Sequence, residues 1–137
     1  MIVIDTHVLV WALDDDPRLG PQTLDLIVAA GRNQGVHVSA ITPWEIAMLA
    51  HKGRLALGRE IGAWMDAALA APGIVLEPIL PAIAIDAVRL PGQFHADPAD
   101  RLIVATARHL GLPLVTADQA ILIYGAGGHA QVLNAAR

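Results

Sequence analysis

A parallel α/β sheet with helices on both faces is the fold class predicted by this sequence. Short apolar, β-branched runs recur along the chain, and between them lie segments whose apolar residues repeat at helical spacing. The chain has 137 residues, which argues for a single domain over 1–137. A domain of that size buries roughly two-thirds of its unfolded surface, enough for a substantial core.

Met1 to Ile4 reads as a buried strand. After Pro21, Leu24, Ile27 and Val28 recur at helical spacing, and Gly31 suggests the stop. Val36 to Ser39 is a second strand. Thr42-Pro43 opens a helix that runs to about Lys52, ended by Gly53. Ile61, Trp64, Met65, Ala68 and Leu69 form the inward stripe of an amphipathic helix. Ile74 to Leu76 is a third strand. Pro81 starts a short helix that ends before Pro91, and Pro98 starts a longer one reaching about Leu110. Leu114 to Thr116 is a fourth strand, Asp118 to Tyr124 a short helix, and Val132-Leu133 a weak last strand. The expected sheet therefore has about four to five short strands. No internal repeat or linker interrupts the pattern.

Composition narrows the function. The chain is 55% hydrophobic and its mean hydropathy is +0.51. No apolar run approaches the roughly 18 to 20 residues needed to span a bilayer. The apolar surplus either fills the core or faces a partner, a second copy or a different chain. With no cysteine, thiolate metal sites and thiol nucleophiles are excluded. MIVIDTH has no basic leader, so the cytoplasm is the expected location. The formal net charge is −4, which counts against holding nucleic acid by bulk charge alone.

Four acids occupy equivalent places in this scheme. Asp5 directly follows the first strand, and Asp118 follows the fourth strand by two residues. Glu45 and Asp100 lie in the first turns of helices, each three residues after a possible cap, Thr42 and Asp97. Strand ends and helix starts meet at one edge of a parallel sheet, where such folds bind their ligands. Glu45 and Asp100 also top the apolar stripes of their helices. For any one acid, helix capping is a sufficient explanation, worth about 1 kcal/mol. Four at one edge point further. Clustered carboxylates raise one another's pKa values unless a cation binds them. An open set of hard oxygen ligands suits Mg²⁺ or Mn²⁺, ions that activate water and stabilise charge on a phosphoryl group. The chemistry this implies is metal-assisted hydrolysis of a phosphodiester.

Other features carry less. Residues 125–130, GAGGHA, fit a dinucleotide-loop pattern, but the seven residues after Ala130 leave no room for the rest of that motif. The histidines His7, His37, His51, His95, His109 and His129 lack tight metal-ligand spacing; His7 and His95 lie near the acid motifs and could touch substrate. Asp14-Asp15-Asp16 reads as a solvated turn. Trp11, Trp44 and Trp64 stand at core-like positions.

IDTHVLVWAL, VSAITPWEIAMLAHKGRLAL, LPGQFHADPADRLIVATA and LPLVTAD pace almost the whole chain. In that order and spacing they resemble the PIN-domain family, specifically VapC-type toxins of bacterial toxin–antitoxin pairs. The resemblance implies a Rossmann-like PIN fold with Asp5, Glu45, Asp100 and Asp118 as metal-binding and catalytic acids. It casts Asp97 as an accessory acid or only a cap, and Thr6 and Thr116 as orienting hydroxyls. It further implies a Mg²⁺- or Mn²⁺-dependent endoribonuclease that leaves 5′-phosphate products, pairs with an antitoxin and forms a homodimer. Relatives often carry a lysine shortly after the second-motif glutamate. Here Met48 and Leu49 follow, and the first lysine is Lys52. Lys52, Arg54, Arg101 and Arg108 are the candidates to grip RNA phosphates, with a solvated face as the alternative for the two arginines of the Pro98 helix.

Two other functions compete with the nuclease. A non-catalytic interaction scaffold has no need of four mutually repelling acids. A phosphoaspartate receiver built on Asp5 needs a lysine after a late strand, where this chain has Ala117-Asp118.

Overall fold

The computed structural model describes residues 1–137. Five strands, β1 (Ile2–Ile4), β2 (Val36–Ser39), β3 (Ile74–Glu77), β4 (Leu114–Thr116) and β5 (Val132–Asn134), form one sheet in the order β3-β2-β1-β4-β5. Every pairing is parallel. Seven helices surround it: α1 (Thr6–Leu13), α2 (Pro21–Gly31), α3 (Ile41–His51), α4 (Ile61–Ala70), α5 (Pro81–Val88), α6 (Pro98–Leu110) and α7 (Gln119–Ala126). None of these is long and apolar enough to cross a membrane.

Alternation along the strands divides the interior into two cores. Ile2, Ile4, Val36 and Val38 face α1, α2 and α4, through residues such as Leu9, Ile27, Trp64 and Ala68. Val3 and Leu114 face α5, α6 and α7, through Ile83, Ile103, Val104 and Ile121. Both cores converge on β1, which is fully buried, and strands covered on both faces need the continuous apolar runs seen in the sequence. The chain builds outward from β1 to β3, then returns to β1's other side for β4 and β5. The reversal places a crevice beyond the carboxyl ends of β1 and β4.

Most expected elements lie within a residue or two of their places, and four expectations need correction. Thr6 to Leu13, assigned no helix from sequence, is α1: Asp5 caps it by accepting from Val8 N at 2.9 Å, so the cap nucleates a segment whose Val8 and Val10 favour strand. The expected capping box at Thr42 and Glu45 does not form. The third helix begins earlier, at Ile41, with Ser39 Oγ accepting from Ile41 N at 3.2 Å, and Thr42 is buried inside the first turn. Trp44 is not a core residue; it is 56% exposed, whereas Trp11 and Trp64 are buried. The expected apolar stripe of α2 is only partly covered, with Leu24 and Val28 exposed and Ile27 half-buried.

Two glycines bear on the elements around the crevice. Gly111 ends α6 in the left-handed region, at φ +66°. A Cβ on Gly125 would sit 2.1 Å from a Val132 methyl, so this glycine lets α7 approach β5. That contact accounts for the first glycine of the GAGGHA run without any nucleotide.

Candidate metal centre

The crevice is built by the two strand ends and by the starts of α3 and α6. Asp5 lies immediately after β1 and is almost fully buried. Its Oδ1 caps α1, and its Oδ2 accepts a short hydrogen bond from the Thr116 hydroxyl. Thr116 Oγ1 in turn accepts from Asp118 N at 3.0 Å. Thr116 thus ties together the two acids that follow the central strands. Asp118 caps α7 through Oδ1, 3.0 Å from Ile121 N. Asp97 caps α6, with Asp100 N at 3.0 Å. Thr6 and Thr42, both buried, pair their hydroxyls at 3.1 Å beneath the cleft.

Capping therefore explains part of the roles of Asp5, Asp97 and Asp118, and none of Glu45 or Asp100. Glu45 is a buried acid that caps nothing. Asp100 sits one turn into α6, with a side chain only 17% exposed, and its carboxylate is paired with His95 Nε2 at 3.0 Å. Carboxylate oxygens of Glu45, Asp97 and Asp100 lie within 4.8 Å of one another, as do ligand atoms of His95, Asp100 and Asp118. The cleft of about 280 Å³ is also lined by His7, Lys52 and Arg54.

This crowding shows in the acidities. Burial, followed by the neighbouring Asp97, Asp118, Glu45 and Asp5, pushes Asp100 up to about 8. Asp5 is pushed up to about 6, chiefly by burial, with the Thr116 hydroxyl opposing. Glu45 is raised by burial, and the Thr6 hydroxyl holds it partly down. At neutral pH these groups cannot all ionise without a counter-charge. Lys52 and Arg54 line the cleft without a salt bridge to any of its acids. A set of hard, mutually repelling oxygen donors in an open cleft fits a divalent cation such as Mg²⁺ or Mn²⁺.

A family model for the PIN domain matches residues 2–125. The chain belongs to the PIN-domain family. It is 36% identical over 118 residues to ribonuclease VapC22 of Mycobacterium tuberculosis, a match that covers 86% of this chain and 87% of that protein. In fold it is similar to VapBC2 of Rickettsia felis, solved with a promoter DNA fragment, at a TM-score of 0.70 and 16% identity, over 98% of each chain. It is also similar to FitAcB of Neisseria gonorrhoeae, at 0.63 and 22%, over 98% of this chain and 97% of the other. PIN membership agrees with the strand order and with the crevice at β1 and β4.

The basic residues expected to hold RNA divide into two pairs. Lys52 and Arg54 line the cleft. For Arg101 and Arg108 the expectation of free cations is corrected: they share a helix face, but both guanidinium groups are engaged by partners within the chain. Arg101 donates to four backbone carbonyls, and Arg108 pairs with Asp86 at 2.9 Å and with the His129 carbonyl. Arg101 is committed to these carbonyls, and Arg108, although 28% exposed, is already paired. His95, which the sequence places near the acid motifs as a possible substrate contact, is the side chain in contact with Asp100. Its position five residues before Asp100 was the available signal, but only the fold of the intervening segment brings the ring back.

Removing the Thr116 hydroxyl should damage both support and site. Thr116→Val leaves Asp5 Oδ2 and Asp118 N without their partner in a fully buried position. The expected cost is about 1–3 kcal/mol in denaturant unfolding, with turnover lowered about 10- to 100-fold. Thr116→Ser should restore most of both. A fully active valine variant would remove Thr116 from the site.

Proposed function

We propose that this chain is a metal-dependent endoribonuclease, the toxin of a toxin–antitoxin pair, with Asp5, Glu45, Asp100 and Asp118 as its catalytic and metal-binding acids. The observation that carries the proposal is the convergence of these acids on one cleft in a chain 36% identical to a ribonuclease. Asp97 supports the cluster as cap and accessory charge, and Thr6 and Thr116 orient carboxylates. A Mg²⁺ or Mn²⁺ ion held by these acids would supply a nucleophilic water and charge stabilisation at the phosphodiester, chemistry that gives 5′-phosphate ends. The chain's own residues do the rest. The acids hold and orient the ion, and burial of Asp5 and Glu45 keeps those donors rigid. Lys52 and Arg54 offer cationic partners for the RNA backbone, partly offsetting the net charge of −4.

The partly uncovered stripe of α2 supports the antitoxin reading. Leu24, Ile27 and Val28 line a groove of about 370 Å³ with Leu13, Pro72 and Ile74. Such a groove suits the apolar face of a partner helix. Homodimerisation is supported separately by the exposed Ile85 and Val88 of α5. The cytoplasm is the proposed place of action.

The test is cleavage of a mixed-sequence RNA panel by the pure protein with Mg²⁺ or Mn²⁺, with chelator, and with Asp118→Asn. Cuts with 5′-phosphate ends, lost with chelator or in the variant, are expected. Cutting that survives both treatments would overturn the assignment.

A further inference from the structure

Arg101 immediately follows Asp100, yet its guanidinium lies outside the acidic cleft, in the junction between α5, α6 and the segment that joins them. Nε donates to the Ala87 carbonyl at 2.8 Å and Nη2 to Val88 at 3.3 Å. Nη1 donates to Phe94 at 3.2 Å and to His95 at 3.1 Å. The first two acceptors are in the last turn of α5, where carbonyls lack helical partners. The other two belong to a stretch that needs an anchor. Residues 90–96 make no backbone–backbone hydrogen bond with any part of the chain. Their remaining polar ties are the Tyr124 hydroxyl, which donates to the Pro91 carbonyl, and the His95 ring itself. That ring reaches Asp100 Oδ2 at 3.0 Å.

We propose that Arg101 and His95 act together as positioning residues for Asp100. The guanidinium anchors the Phe94–His95 backbone, and the anchored imidazole fixes one oxygen of the carboxylate, leaving the other free of that partner. Neither residue is catalytic; both act through Asp100. The chemical reason is that a carboxylate ligand binds an ion well only in a narrow range of orientations, and outer hydrogen-bond partners set that orientation. Arginine is needed because its planar fork directs donors to four separated carbonyls, which the single ammonium of lysine cannot reach together. The adjacency of Asp100 and Arg101 then has a purpose. One turn of α6 presents the metal-binding acid and the anchor of the segment that orients it.

The proposal rests on the metal-dependent reading of the cluster, but its test measures cation binding rather than RNA cleavage, so either can fail alone. Mn²⁺ affinity would be measured by calorimetry at one fixed pH for the full chain and for Arg101→Lys, His95→Ala, His95→Asn and the Arg101→Lys/His95→Ala double variant. Backbone order over residues 90–96 would be followed in parallel by NMR relaxation. His95→Ala should weaken Mn²⁺ binding about tenfold or more, and His95→Asn, which keeps a donor, should recover most of the loss. Arg101→Lys should weaken binding to a similar extent and lower the amide order parameters of residues 94–96. The double variant should be no worse than His95→Ala alone, because both changes break one relay. Losses that multiply in the double variant, or Mn²⁺ binding in Arg101→Lys equal to that of the parent, would overturn the relay. If Arg101→Lys does not fold, the His95 arm decides, and unchanged affinity in His95→Ala overturns the proposal.

Discussion

Asp100→Asn is expected to abolish turnover while making the metal-free protein more stable. The two effects share a cause. Asp100 is the acid most strongly opposed by its surroundings, held at about 8 by burial and by four neighbouring carboxylates. Its unfolded value is near 3.8, so between these two values the native state holds a proton that the unfolded state has released. Stability therefore falls as pH rises through that window, at up to about 1.36 kcal/mol per unit. Asp5, held at about 6, adds to the slope over the lower part of the window. Asparagine carries no charge to desolvate and can still accept from His95. The gain at neutral pH should be on the order of 2 kcal/mol in denaturant unfolding without metal, and the fall of stability with pH should flatten. Turnover should drop at least about a thousandfold, the scale of losing a principal electrostatic group at the reacting centre. A variant that is inactive but less stable than the parent at pH 7 would show that Asp100 is a structural acid and that the cluster is not strained.

Stabilisation by Mg²⁺ or Mn²⁺ should be large at pH 8 and nearly absent at pH 5. An ion must displace the protons that burial and mutual repulsion hold on Asp100 and Asp5, so its affinity should rise about tenfold per pH unit where one proton is released for each ion bound. At a hundred times the dissociation constant, binding adds about 2.7 kcal/mol, which for a domain of this length raises Tm by roughly 10 °C. Thermal melts with and without ion across this pH range give the result directly. Equal shifts at both pH values would place the ion elsewhere, away from the protonated acids. The same melts on Asp100→Asn should show little response to the ion at any pH.

Much of the site was legible before the fold, for a physical reason. Asp5 and Asp118 could be placed because a buried parallel strand is a short, self-announcing apolar run, and whatever follows it stands at the ligand-binding edge. Asp100 could be placed because Pro98 marks the first turn of its helix. Glu45 was found with its local setting misread: the capping box of Thr42 and Glu45 is a local pattern, whereas the helix starts at Ile41 with no side-chain cap and the Thr42 hydroxyl pairs with Thr6. Helix α1 was missed because Thr6, Val8 and Val10 carry strand-like propensity, and a single cap from Asp5 overrides it only when the helix can bury Val8 and Leu9.

The sequence by itself determined the alternation of strands and helices, and with it which acids share an edge, since both follow from periodicity and chain order. The pairing of side chains was decided only by the tertiary structure. Arg101 and Arg108 read as cations available to RNA, yet the packing of α5 on α6 commits them to carbonyls and to Asp86. Trp44 read as core and is exposed, because one turn of a helix offers several azimuths and only the neighbours decide which is covered. His95 meets Asp100 through a segment with no regular structure. Periodicity does not describe such a segment. Its path is set by long-range contacts, chiefly the anchor of Arg101 and the Tyr124 hydroxyl on Pro91.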